Sequence, residues 1–222
     1  MTPVWWRVAA KDARVELRGR ATLVPALLTG LLVVVVGLLA FHDASERALV
    51  AAGVLWIGLA FAAALGLARA FGAERDQHTL DVLLTLPAER GSLYLGKVAA
   101  SFATILLVAL VLVPVYLVAG DEAIPAEWPL LLVVLLMGAL GLAATGTMMS
   151  ALAATARSRE TLLPVLLVPL LVPLLLATLD GTEAALSGEP FAAWRNELLI
   201  LAGYDLAFLA ASTLLFESAV GD

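Results

Sequence analysis

Six apolar runs, each long enough to cross a bilayer, constrain this chain more than any other feature. They lie at 22–41, 49–70, 95–119, 129–154, 161–179 and 197–217. The hydrocarbon core of a bilayer is about 30 Å thick and a helix rises about 1.5 Å per residue, so roughly 20 apolar residues suffice. In lipid the backbone must satisfy its own N–H and C=O groups, which leaves the helix as the conformation open to runs of this kind. The expected fold is therefore an all-α membrane protein with six transmembrane helices in a single domain, 1–222. Composition agrees: 62% of the 222 residues are hydrophobic and only 14% charged, a balance no ordinary soluble domain carries.

Orientation follows from the basic residues. Of the thirteen Lys and Arg, eleven fall on one side of these runs: Arg7, Lys11, Arg14, Arg18, Arg20, Arg69, Arg75, Arg90, Lys97, Arg157 and Arg159. Arg47 and Arg195 fall on the other. Basic loops stay in the cytoplasm, so six spans place both termini there. The N-terminus has no small-residue cleavage site after the first run, so the first span is expected to double as the insertion signal.

Ahead of that span, an interfacial amphipathic helix is expected over 3–20. Arg7, Lys11, Arg14 and Arg18 recur at helical spacing as a basic stripe. Trp6, Ala10, Ala13 and Leu17 repeat the spacing one residue earlier, about 100° round the helix, with Trp5 beside them. Such a helix suits the plane of the membrane surface, basic side to anionic headgroups and tryptophan at the acyl boundary. Asp12 and Glu16 sit on a third side.

The most patterned polar stretch runs from Arg69 to Lys97. Asp76 can cap a helix, and Leu80, Leu83, Leu84 and Pro87 recur at i, i+3, i+4 and i+7. Pro87 marks its end, because the residue before a proline is pushed out of the helical region. A short amphipathic helix between spans two and three must bury its leucines, either among headgroups or in a partner protein. The partner is the reading adopted.

Inside the runs, Gly138, Gly141, Gly146 and Ser150 are small residues that allow close helix contact, within one bundle or between subunits. Pro164, Pro169 and Pro173 remove backbone donors from the fifth run, predicting a kink or local unwinding. Asp205, with Tyr204 beside it, is the one acid well inside a span. A charge at that depth costs about 2.5–3.5 kcal/mol on insertion scales, so it should face protein or water. It is either a polar group on a path or a partner in a helix-to-helix hydrogen bond.

Much chemistry is excluded. With no cysteine and two histidines, His42 and His78, neither disulfides nor a protein-only metal cluster is expected. There is no GxxxxGK[ST], HExxH or GxSxG, so the chain is expected not to be an enzyme, and to bind no cofactor itself. With an acidic balance (pI near 4.9) no basic surface invites nucleic acid, and none is expected as a partner.

Three stretches resemble the haem exporter protein B family (CcmB-type), the permease of the cytochrome c maturation ABC transporter. They are KDARVELRGR at 11–20, ERDQHTLDVLLTLPAERGSLYLGK at 74–97 and AGYDLAFLAASTLLF at 202–216. The resemblance implies an ABC-2-type permease in the bacterial inner membrane, with haem as possible cargo and ATP bound by a separate cytosolic ATPase subunit (CcmA-type). It also implies a second copy of the chain, a haem-handling membrane protein and a periplasmic haem chaperone as partners. The coupling-helix loop would be 74–90, with Glu74, Arg75, Asp76, Thr79, Leu80, Leu83, Leu84, Pro87 and Arg90 facing the ATPase. The residues alone leave three alternatives: an ABC-2 permease for a lipid, glycan or drug, a secondary carrier using Asp205, and a scaffold.

Overall fold

A computed structural model of the chain describes residues 4–19, 22–41, 47–70, 90–119, 127–155 and 159–219. Among them are seven helices: α1 (Val4–Gly19), α2 (Leu23–Ala40), α3 (Arg47–Ala70), α4 (Arg90–Ala119), α5 (Trp128–Thr155), α6 (Arg159–Ser187) and α7 (Phe191–Ala219). Five of these, α2 to α6, are long and apolar enough to cross a membrane. The chain is thus an all-α, multi-pass membrane protein. The sixth expected span, α7, is not among these five over its described residues.

The bundle is built round α5, the most enclosed of the spans, which packs on α3, α4, α6 and α7. Every residue from Gly141 to Ser150 is buried. Glycines and threonines make that enclosure possible: Gly146 receives Leu67 of α3, and Gly141 receives Leu174 of α6. The small residues singled out in the sequence therefore serve contacts within this bundle. At the other extreme α2 leans mainly on α3 and α4 and presents Leu28, Leu32, Val36 and Leu39 outward. Leu110, Val118 and Leu206 are likewise exposed. An outer surface of leucine and valine is the reverse of an aqueous one and suits acyl chains.

Lipid gives helices no hydrophobic reason to associate, so close packing and polar contacts must hold them. Among the described residues, polar side chains do so from helix to helix. Trp56 Nε1 of α3 donates to Thr182 Oγ1 of α6 at 2.9 Å, and Tyr94 of α4 donates to the Ala144 carbonyl of α5 at 2.9 Å. Thr147 Oγ1 of α5 donates to Ser101 Oγ of α4 at 3.3 Å. Tyr204 of α7 reaches both α5 and α6, as described below. Each bond of this kind is worth about 0.6 kcal/mol on average and up to about 1.7.

Two expectations need correction. The fifth run was expected to end at 179, followed by a polar loop to Asn196, yet α6 continues to Ser187 and α7 begins at Phe191. Asp180, Thr182 and Glu183 are helical because Thr182 is tied to Trp56 and Gly181 packs against Val134 of α5. Only Gly188, Glu189 and Pro190 remain as the turn, with Gly188 at φ 67°, a conformation open to a residue without Cβ. The second correction concerns Pro164, Pro169 and Pro173. Of the kink or local unwinding expected there, the unwinding is absent: α6 runs helical across all three.

Candidate functional site

Two places bring together residues that the apolar packing alone does not require. The first is the contact of α5, α6 and α7. Tyr204 is buried, and its hydroxyl lies 2.8 Å from Thr145 Oγ1 on α5 while donating to the Leu170 carbonyl on α6 at 3.0 Å. Its ring stacks on Phe208 one turn on, with centroids 4.3 Å apart. One side chain thus ties three helices beside Pro169 and Pro173, where the prolines deprive α6 of backbone donors.

Asp205 points the same way into the protein. It is 5% exposed, and neither carboxylate oxygen has a hydrogen-bond partner among the described residues. Its place against α5 depends on Gly141: a Cβ there would lie 2.9 Å from Asp205 Oδ1. The sequence expectation is that this acid faces protein or water, and it is buried among the described residues. Opposite Tyr204 and Asp205 on α7 lie Leu199 and Leu206, both exposed. The helix therefore turns Tyr204 and Asp205 inward and Leu199 and Leu206 outward.

The second place is α1. Three sides of this helix have three environments. Trp6, Arg7, Lys11 and Arg14 are exposed, and Trp5 is partly so at 39%. Ala9 is buried, and Val8, Asp12 and Glu16 lie half-buried between it and the neighbouring helices. Asp12 Oδ2 meets Lys97 Nζ of α4 at 3.0 Å, while Lys11 Nζ approaches Oδ1 at 2.9 Å. Glu16 Oε1 accepts from the backbone N–H of Thr22 at 3.0 Å and of Leu23 at 2.7 Å. The first N–H groups of a helix have no partner within it, so this carboxylate satisfies two of them on α2.

The acids that broke the amphipathic pattern in sequence are thus what fix α1 to the bundle. Lys97, counted among the cytosolic bases, has a side chain only 8% exposed. Next to it, Gly96 lets α1 come so close that a Cβ would sit 2.7 Å from the Trp5 carbonyl oxygen and 2.8 Å from Val8 Cβ. Sequence reasoning missed this joint because its partners stand 85 residues apart, Asp12 to Lys97.

Of the other sites expected from sequence, Glu74, Arg75, Asp76, Thr79, Leu80, Leu83, Leu84 and Pro87 lie outside the described residues, as do His42 and His78. Arg90 begins α4 rather than ending a loop, and its side chain and that of Arg18 also lie outside them. Among the described residues no three His, Asp or Glu side chains form a group that could hold a metal ion.

Comparison with known proteins adds the family. Residues 4–221 match the family model described as CcmB protein. A curated relative, heme exporter protein B of Rhodobacter capsulatus, is 30% identical over 162 residues, which is 72% of this chain and 72% of that protein. A match from the first residues of α1 to the end of the chain leaves no part of the bundle outside it: the chain belongs to the CcmB family.

Proposed function

We propose that this chain is the membrane permease subunit of an ATP-driven haem exporter serving c-type cytochrome biogenesis in the bacterial inner membrane. The observation that carries the reading is the family match over 4–221, joined to a relative named for haem export. The multi-pass bundle supports a role within the membrane, and a sequence without a P-loop is consistent with a motor on another subunit. In this reading α7 is a sixth span. Its acid and phenol turn inward on α5 while Leu199 and Leu206 turn out, so crossing need not expose Asp205 to lipid. Six crossings and the distribution of Lys and Arg put both termini in the cytoplasm.

The stretch 74–90 then faces the cytosol and docks on a CcmA-type ATPase, its Leu80, Leu83 and Leu84 buried in that partner. Glu74, Arg75, Asp76, Thr79 and Arg90 set the register, since charge at an interface rim governs orientation more than affinity. ATP-driven motion of the bundle serves to release haem-loaded chaperone on the far side, in concert with a haem-handling membrane protein and a second copy of this chain. On the near side Trp5, Trp6, Arg7, Lys11, Arg14 and Arg18 rest on anionic headgroups.

The test pairs a deletion with a point variant. Loss of the chain should abolish covalently haem-loaded c-type cytochromes. Leu83→Asp should separate the solubilised chain from its ATPase while leaving the chain in the membrane. Unchanged cytochrome content on deletion would point to another hydrophobic cargo. Co-purification indifferent to Leu83→Asp would remove the coupling assignment.

A further inference from the structure

We infer that Asp12 and Lys97 are positioning residues of the transport cycle, joining the surface helix α1 to the cytosolic end of α4 so that the two move as one body. The inference rests on the function proposed above and adds to it a specific joint. Its first support is where Lys97 stands. It lies on α4 in the second turn after the 71–89 stretch, one turn beyond the core residues Leu93 and Tyr94, so a displacement of that stretch is carried by the same two turns of α4 that hold Lys97.

The second support is the character of the contact. A lysine whose side chain is 8% exposed needs a countercharge, and Asp12 supplies it at 3.0 Å from α1. Beside it the backbones themselves touch, at Gly96 against the Trp5 carbonyl and Val8, so there is no slack for α1 to slide. The third support is the far end of α1, where Glu16 holds the start of α2. The helix therefore straps the cytosolic ends of α2 and α4 together, using its acid-bearing side. That leaves the arginine and tryptophan sides exposed to grip the membrane surface. A strap anchored on the membrane gives the bundle a fixed point against which a push on 71–89 can act.

The experiment uses the full chain. Asp12→Lys sets two ammonium groups against each other where an ion pair stood, and the double variant Asp12→Lys with Lys97→Asp restores the pair in reverse. Hydrogen exchange on the purified chain in nanodiscs should show the amides of 4–19 exchanging at least tenfold faster in Asp12→Lys, and at the original rate in the double variant. Exchange in α5 should stay unchanged in both, which separates undocking from unfolding. In cells producing equal amounts of chain, haem-loaded cytochrome c should fall at least fivefold in Asp12→Lys and recover in the double variant.

Unaltered protection of α1 in Asp12→Lys would overturn the joint. Undocked α1 with undiminished cytochrome would make the pair structural only, and so would overturn the positioning role. The exchange measurement needs no ATPase and no cargo. A failure of the wider function, seen as normal cytochrome in a deletion strain, is thereby distinguishable from a failure of the joint.

Discussion

Tyr204→Phe removes one oxygen and nothing else, and it tests whether polar contacts hold α5, α6 and α7 together. The ring stays, its stacking on Phe208 at 4.3 Å stays, and no cavity is made. What goes is the hydroxyl bonded to Thr145 at 2.8 Å and to the Leu170 carbonyl at 3.0 Å. Two interhelical bonds at about 0.6 kcal/mol each, with an upper figure of about 1.7, bracket the loss between about 1 and 3 kcal/mol. The lower half of that range is the expectation. Leu170 can still accept from its own helix, and Thr145 can turn back to a carbonyl one turn earlier. A loss of about 1–2 kcal/mol in reversible unfolding, followed by steric trapping in bicelles, is therefore the prediction. Thr145→Val should cost about 0.5–1 kcal/mol, and the double variant less than the sum, because both singles break the same bond. Strict additivity, or a Tyr204→Phe protein as stable as the parent, would refute the argument.

Three further outcomes follow from contacts of the same kind. Gly96→Val places a side chain against the Trp5 carbonyl, which is backbone and cannot rotate away. α1 should lift off at a cost of about 1–3 kcal/mol, seen as faster tryptic cleavage at Lys11 or Arg14. Gly141→Ala drives a methyl to 2.9 Å from Asp205 Oδ1 and 2.6 Å from Leu174 Cδ1, and the resulting loss of about 1–2 kcal/mol should shrink when Asp205→Ala is added. Trp56→Phe gives up the bond to Thr182 and part of a fully buried ring. It should cost about 2–3 kcal/mol by the same unfolding assay, with Thr182→Val accounting for less than half of it.

What could be read from sequence follows the reach of each physical signal. Apolar length located α2 to α6, because lipid imposes its thickness residue by residue along the chain. The same signal failed at both ends of the fifth connection. Asp180 and Glu183 look like loop in a hydropathy profile, but Trp56, 126 residues before Thr182, holds that segment in the helix. The apolar run at 197–217 falls within α7. Asp205 could be seen to need shelter, yet nothing local said that Gly141 would provide the space. In α1 the basic and tryptophan stripes stood out at once, whereas Asp12 and Glu16 read as flaws in the pattern. They became intelligible only with Lys97 and the start of α2 beside them, because a countercharge distant in sequence leaves no periodicity behind.

The three-residue turn Gly188–Pro190 limits how α6 and α7 can part company. Glu189 N–H reaches back to the Ala184 carbonyl at 3.1 Å, and Trp194 Nε1 donates to the Glu189 carbonyl at 3.1 Å, so both limbs are clipped at that end. The pair resembles tweezers joined at the spring. Its tips can spread only at the end away from that turn, and the Tyr204 hydroxyl sits part-way along as the catch that any spreading must release.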